Sequence, residues 1–255
     1  MLKGLAPIVL LVATFLASVG TARAGKVLRV EGDIVKWAWP ASGLATLVTY
    51  AALTGPYSLP SDKRTLSPDN CGAMRPFADI VSASAGVSDV IARQELRSAF
   101  AAWEEVAGIK FIEVNEPHRA DIIVGATDAS NGRAFANLRL DGGRGKQPVA
   151  KALGAPSDGR TVDSAGPGMG RPVAVIEQAY VCLNPKASWK AGFDGDLNVY
   201  DLRYTFMHEI GHAIGLDHPG SSGSIMGYRY DERVRQLQPS DIAAAQWLYG
   251  LPKDK

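Results

Sequence analysis

The stretch 206-FMHEIGHAIGLDHPG-220 holds three of the chain's four histidines. His208 and His212 are four positions apart, so an α-helix would place both on one face, one turn apart. Gly215 follows them, and a glycine can adopt the positive φ that a sharp turn requires. That turn would bring His218 back beside the first two histidines. The sequence therefore predicts a helix, a tight turn and one shared histidine site.

Three converging imidazoles are a typical donor set for Zn²⁺, which binds histidine nitrogens at about 2.0–2.1 Å. Three protein ligands leave a fourth position for water, as in catalytic zinc sites. Glu209 follows the first histidine, so it lies beside the metal and can take a proton from the water. The fourth histidine, His118, lies in a predicted turn and is interpreted as a solvated loop residue. We therefore predict one catalytic Zn²⁺ with Glu209 as its general base.

The remaining chain shows alternating strand and helix patterns. Ser88 is the predicted cap of a helix that Gly108 ends, and a helix from about Tyr200 to Leu216 carries the histidines. Ser240 is the predicted cap of a last helix that Gly250 closes. The core-facing positions of the first helix are Ile91, Leu96, Ala99, Phe100, Trp103 and Val106. Strands are predicted at 44–53, 109–114, 120–127 and 172–184. Residues 54–86 and 128–172 are rich in turn residues and are predicted to be loops, with a short edge strand at 149–153. This pattern indicates a mixed α+β domain.

The spacing of His208, Glu209, His212, Gly215 and His218 resembles the signature of the metzincin zinc peptidases. Members of that clan also place a methionine in a tight turn beneath the metal, and Met226 in 224-SIMGY-228 matches it. The stretches AFAAWEEVAGIKFIEV and ADIIVGAT resemble matrixins, whereas the proline after the last histidine favours serralysins. The resemblance covers roughly residues 36–250. It implies a zincin-type fold: a mixed twisted sheet, a long N-terminal-lobe helix, the active-site helix, and a small C-terminal lobe with the Met-turn and a closing helix.

Two features depart from these families or divide them. Matrixins bind a second, structural zinc through histidines upstream of the active-site helix, but this chain has no histidine between positions 119 and 207. Lys151 stands about where one is expected, so we expect no structural zinc. In serralysins and astacins a tyrosine two residues after the methionine ligates zinc or stabilises the oxyanion, and Tyr228 fits that spacing. Tyr230 fits the matrixin position that helps to wall the pocket. Tyr228 is therefore either a ligand and oxyanion donor or a packing residue.

A calcium site is a further candidate in the stretch 193-FDGDLN-198. Asp194, Asp196 and Asn198 alternate as at the start of an EF-hand loop, but Val199 stands where that loop has its glycine. A solvated acidic turn is the favoured interpretation, and bound Ca²⁺ remains open.

The N-terminus predicts export. Residues 1–24 have a lysine, a short apolar run and an Ala-Arg-Ala cleavage site, so they are interpreted as a signal peptide. Residues 25–36 are a short lead or a mini-propeptide, in which Asp33 either plugs the zinc or lies in an exposed turn. Residues 37–255 form the expected catalytic domain.

The two cysteines, Cys71 and Cys182, favour a disulfide in an exported chain. The alternative is that Cys71 is an inhibitory thiolate, but strand-like sequence already precedes it.

The net charge of +1 favours neither nucleic acid nor an anionic membrane surface. The sequence thus predicts a secreted or periplasmic, monomeric zinc endopeptidase with a protein or peptide substrate and no stable membrane association. A zinc hydrolase of a non-protein amide, such as a cell-wall crosslink, and a catalytically silent metal-binding protein are the alternatives.

Overall fold

The computed structural model describes residues 25–40, 44–59, 65–66, 70–127, 132–141, 173–220 and 223–253. Within these ranges three α-helices occur: α1 (Asp89–Val106), α2 (Leu202–Ala213) and α3 (Pro239–Tyr249). The strands are β1 (Lys26–Val27), β2 (Arg29–Val30), β3 (Asp33–Lys36), β4 (Thr46–Ala52), β5 (Tyr57–Ser58), β6 (Ala73–Arg75), β7 (Ile109–Glu113), β8 (Ile122–Thr127), β9 (Ala134–Leu140), β10 (Val173–Leu183), β11 (Trp189–Lys190), β12 (Tyr200–Asp201) and β13 (Leu216–Asp217). None of the described helices is long and apolar enough to cross a membrane.

One mixed sheet of nine strands carries the fold. Its main order is β2-β3-β10-β8-β4-β7, and β9 runs antiparallel beside β10. The pairs β10–β3, β10–β8, β4–β8 and β4–β7 are parallel. The strands predicted at 44–53, 109–114, 120–127 and 172–184 are β4, β7, β8 and β10. The sheet with its three helices confirms the α+β zincin-type fold.

Helix α1 covers the sheet and contacts α2. The Ser88 side chain accepts a hydrogen bond from the Ile91 amide and caps the helix as predicted. The indole Nε1 of Trp103 donates to the carbonyl of Met207 at 3.0 Å, which joins α1 to the active-site helix. The fully buried side chains of α1 are Ala92, Leu96, Ala99, Phe100 and Trp103. Ile91 and Val106, predicted to face the core, are only partly buried, and the helix ends at Val106 because Ala107 is already extended.

Three local predictions were wrong. Residues 128–172, read as a loop, contain the seven-residue strand β9, and residues 54–86 contain β5 and β6. Helix α3 is capped by Gln238, two residues before the predicted cap Ser240. Gln238 and Asp241 form a reciprocal capping box, in which each side chain accepts from the backbone amide of the other residue. Gly250 closes α3 with a positive φ, as predicted. The strand predicted at 149–153 and Lys151 lie outside the described residues.

Residues 25–36, expected to be a short lead, pair with the rest of the domain. β1 pairs with β13 next to the third histidine, and β3 runs parallel to the start of β10. Ile34, Val35 and Lys36 are fully buried. The lead is thus an integral part of the folded domain.

The predicted disulfide is confirmed. Cys71 and Cys182 are bonded, with their Cα atoms 5.8 Å apart, and neither thiol is free. Cys182 lies on β10, on the sheet face opposite the helices, where it packs in a small apolar cluster with Met74 and Tyr180. A bonded Cys71 cannot act as an inhibitory thiolate.

Candidate metal centre

Helix α2 places the first two histidines as the spacing predicts. The Asp201 carboxylate caps the helix by accepting from the Tyr204 amide at 2.8 Å. The Nε2 atoms of His208 and His212 lie 3.1 Å apart, and the Nε2 atom of His218 lies 3.2 Å from that of His208. Among the described residues, these three form the cluster whose ligand atoms could hold a metal ion.

The donor set fits a zinc ion. The Nδ1 atom of His208 lies 2.7 Å from the Ile225 carbonyl, and that of His212 lies 2.9 Å from the Leu216 carbonyl. A carbonyl only accepts, so both Nδ1 atoms carry the proton and both Nε2 lone pairs point into the cluster. Tetrahedral ligands at the usual Zn–N distance lie about 3.3 Å apart, close to the separations seen here. A cation held between these lone pairs would relieve their mutual repulsion.

The Met-turn supports this site from below. Met226 is buried, and a Cβ added to Gly211 of α2 would lie 2.3 Å from the Met226 sulfur, so the glycine leaves room for the methionine. The Asp241 carboxylate accepts from the amides of Ile225 at 2.9 Å and Met226 at 3.2 Å. It thereby fixes the Ile225 carbonyl that receives His208. Met226 thus packs directly against the helix that carries the first two histidines.

Gly215 makes the turn to the third histidine. Its φ is +93°, and a Cβ there would come within 2.2 Å of the Val35 carbonyl oxygen. The Leu28 amide donates to the Gly215 carbonyl at 2.8 Å. The lead strands therefore hold the turn from outside.

His218 is positioned by the residue before it. The Asp217 carboxylate accepts from the His218 amide at 2.8 Å and forms a 2.6 Å ion pair with Lys26 of β1. This ion pair and the β1–β13 pairing link the N-terminal strand to the third histidine.

Burial sets the charges of the site. It raises the pKa of Glu209 to about 8 and lowers that of His208 to about 4. Burial, together with the neighbouring His208, also lowers the pKa of His212 well below its usual value, and burial lowers that of His218. The histidines are therefore neutral at pH 7, the form that binds a metal. A nearby cation would favour the ionised form of Glu209.

Tyr228 lies against the third histidine. Its ring stacks on that of His218 with centroids 4.0 Å apart and planes 15° apart, and the side chain is 69% exposed. Tyr230 is turned the other way: its hydroxyl accepts from the Asp201 amide at 3.0 Å and donates to Glu232 at 2.9 Å. Tyr228 is thus next to the cluster, whereas Tyr230 joins the start of α2 to the loop after the Met-turn.

The side chain of Lys190 lies against the acidic turn of residues 194–198. The Lys190 ammonium contacts the carboxylates of Asp194 and Glu232 and the Asp196 carbonyl, the last at 2.7 Å. The Asn198 amide donates to Asp196 Oδ1 at 2.8 Å, as in a solvated turn. A cation is therefore already supplied by the chain at this place.

Asp33 begins β3, where it pairs with Val30 across a tight turn. It contributes no ligand atom to the histidine cluster, which holds only histidines in the described part of the chain.

Sequence reasoning missed the groups that orient the histidines. The carbonyls of Ile225 and Leu216 are backbone atoms and leave no side-chain signal. Asp241 could have been found, because a capping-box acid three positions after Gln238 is visible in the sequence.

The fold and the cluster together define a class. Two histidines on a helix, a glycine turn to a third and a methionine turn beneath them characterise the metzincin zinc peptidases. The sequence model of the matrixin family matches residues 79–250. This chain therefore belongs to the matrixin family, whose members are zinc-dependent metalloendopeptidases.

Individual relatives agree with this assignment. Karilysin of Tannerella forsythia is 27% identical over 173 residues, which is 68% of this chain and 32% of karilysin. Rat stromelysin-3 is 31% identical over 162 residues, 63% of this chain and 27% of that protein. Macrophage metalloelastase of Oryctolagus cuniculus is 29% identical over 161 residues, 62% of this chain and 29% of that protein. The aligned part thus covers about a third or less of these relatives.

Proposed function

We propose that this chain is a secreted or periplasmic zinc endopeptidase that hydrolyses peptide bonds. The observation that carries the proposal is the convergence of three histidines next to the buried Glu209, with the Nε2 atoms of His212 and His218 lying 3.1 and 3.2 Å from that of His208. Membership of the matrixin family supports a protein or peptide substrate.

The reaction follows from the residues of the cluster. A Zn²⁺ held by His208, His212 and His218 would polarise the attacking water and the substrate carbonyl. Glu209 takes a proton from the water as it attacks the carbonyl carbon, and then delivers that proton to the leaving nitrogen. Burial raises the pKa of Glu209 and a bound cation would lower it again, which suits a group that must both accept and return a proton. We assign Tyr228 as an oxyanion donor, since its ring is stacked on His218.

The substrate would bind in an extended form along the edge strand β9. In the described residues, β9 pairs only with β10 and with residue 65. An extended peptide can add to such an edge by backbone hydrogen bonds. The strand contacts α2, so this edge runs beside the helix that carries the histidines.

Export and maturation belong to the same proposal. Residues 1–24 act as a signal peptide, and the mature chain begins near Gly25. The pairing of residues 26–36 with the domain supports their retention in the mature enzyme.

The decisive test compares the chain from Gly25 onward with its Glu209→Gln variant, both loaded with zinc, on a mixed peptide library read by mass spectrometry. We expect cuts by the unaltered chain and a loss of about 10³-fold in the variant, since general acid–base catalysis contributes roughly 10²–10⁴-fold. The zinc content of both proteins is the control, because Glu209 is not a ligand. Equal cleavage by both would exclude the proposed role of Glu209. The absence of cuts, with zinc bound, would favour a non-peptide substrate.

A further inference from the structure

A short segment of the chain itself covers part of the outer edge of β9. The Leu66 amide donates to the Leu138 carbonyl at 2.7 Å. The preceding residue, Thr65, forms an antiparallel bridge with Arg139. Thr65 and Leu66 therefore pair with β9 as an added strand would.

The alternation of hydrogen bonds shows which groups of β9 face outward. The Asn184 amide donates to the Arg133 carbonyl at 2.7 Å on the β10 side. In an antiparallel pair the backbone N–H and C=O groups of successive residues point to opposite edges of the strand. The groups of Arg133 face β10, so those of Ala134, Ala136 and Leu138 face away from it. No described residue pairs with the outward groups of Ala134 and Ala136. Among the residues that the structure describes, the outer edge is thus unpaired near its start and covered near its end.

The covering segment is anchored in two ways. The Asn137 side chain, which is fully buried, donates to the Leu66 carbonyl at 2.7 Å and accepts from the Cys71 amide at 3.0 Å. Cys71 is bonded to Cys182 on the adjacent strand β10. The contact is therefore built into the domain by a buried amide and a covalent bond.

We propose that Thr65 and Leu66 are specificity-determining residues, which limit how far an extended peptide can pair along β9. This inference rests on the proposed function. A peptide that runs antiparallel to β9 places its N-terminal half beside the C-terminal half of the strand, which is the covered half. The covered half should therefore limit pairing on the N-terminal side of such a peptide.

The test measures binding and needs no cleavage. Alanine peptides of two, four and six residues that end in a C-terminal hydroxamate would be anchored at the zinc and extend toward the covered half. Calorimetry gives their dissociation constants for the zinc-loaded chain, for Leu66→Pro, and for Leu66→Ala. Proline has no amide hydrogen to donate to Leu138, whereas alanine keeps it, so Leu66→Ala is the matched control.

We expect affinity to stop rising with peptide length in the unaltered chain and in Leu66→Ala. In Leu66→Pro the longest peptide should bind about 2- to 12-fold tighter than in the control, the range for one added hydrogen bond. Peptides that carry the hydroxamate at their N-terminal end extend the other way and should bind all three proteins alike. Intact mass and thermal unfolding verify the disulfide and the fold. If Leu66→Pro fails to fold, Asn137→Leu releases the same segment.

Equal length dependence in all three proteins would overturn the inference, as would a gain confined to the peptides that extend the other way. Failure of every peptide to bind would overturn it too. The proposed function is judged separately, by cleavage that depends on Glu209.

Discussion

The histidine cluster has two sides that are built differently. On the helix side, α2 carries His208 and His212, and the Met-turn held by Asp241 receives His208. On the strand side, β1 to β3 hold the turn at Gly215 and the segment that leads to His218. The helix side is made from one continuous stretch of about forty residues. The strand side joins segments that are far apart in the sequence. The Lys36 ammonium donates a hydrogen bond to the carbonyl of Leu248, 212 positions away.

This difference separates what a motif specifies from what the whole domain specifies. Helical spacing fixes which histidines share a face, whatever lies elsewhere in the chain. A strand of two residues has no such signal, because its position depends on the partner to which it bonds. The lead segment therefore belongs to the site by pairing.

The greatest loss of stability is expected from a substitution at Gly215, where the two sides meet. In Gly215→Ala the new Cβ meets the Val35 carbonyl at 2.2 Å with φ at +93°. We expect a loss of about 3–4 kcal/mol of unfolding free energy, from left-handed strain and overpacking together. Urea unfolding measures it. Gly32→Ala is the control, since Gly32 has a φ of +91° with no neighbour within 4 Å of a Cβ. Equal losses in both variants would show that strain alone matters at Gly215.

A substitution of Asp241 on the helix side should cause the next-largest loss of stability. Asp241→Asn keeps the shape but places an amide group against the backbone donors of Ile225, Met226 and Gln238. We expect a loss of about 2–3 kcal/mol, because hydrogen bonds to a charged group are the stronger ones. Zinc affinity should fall as well, since the Ile225 carbonyl that orients His208 is released. Competition with a chelator measures that affinity. Unchanged zinc binding in a destabilised Asp241→Asn would limit the role of Asp241 to folding.

A smaller effect tests the strand side through pH. Burial lowers the pKa of Lys36 from 10.5 to about 7. Between pH 7 and 10 the unfolded chain then holds a proton that the folded chain lacks, so stability rises with pH in that window. The slope is at most about 1.4 kcal/mol per pH unit. The Leu248 carbonyl and the ring of Trp39, whose centroid lies 3.7 Å from Nζ, favour the charged form of Lys36. Both contacts therefore reduce the slope of stability against pH.

Lys36→Met removes this titration. The difference in unfolding free energy between the unaltered chain and Lys36→Met should therefore grow in favour of the unaltered chain from pH 7 to pH 10. Below pH 7 both states of the unaltered chain are protonated, so the difference should be constant. A difference that stays flat across the whole range would show that Lys36 remains charged in the fold.

The smallest effect concerns Lys26 and its ion pair with Asp217. The Lys26 side chain is more than half exposed, and exposed pairs contribute little. We expect Lys26→Met to unfold almost as the unaltered chain does and to bind zinc at most about threefold more weakly. Lys26→Arg keeps the charge and should match the unaltered chain in zinc competition. A tenfold loss of zinc affinity in Lys26→Met would show that the strand side contributes as much to metal binding as the helix side.

The sequence predicts much of the fold for physical reasons that these regions illustrate. The helix Asp89–Val106 and the histidine helix follow from caps, periodicity and spacing, which are local, whereas the Met-turn was expected only from the resemblance to the metzincins. The cysteine pair was expected because residues 1–24 predict export. The strand Ala134–Leu140 was missed because its letters, AFANLRL, show weak alternation amid turn residues. The cap of the last helix was misplaced by two residues because Ser240 competes with Gln238 as a capping side chain.

The lysine in the acidic turn has a consequence for experiments with chelators. Lys190 brings its positive charge to Asp194 and Glu232 on a covalent tether. A chelator can remove a bound ion, but it cannot extract a side chain. Stripping the histidine cluster should therefore leave the Lys190 contacts of this turn in place. Metal depletion then becomes a selective perturbation, which changes the histidine cluster and spares the acidic turn.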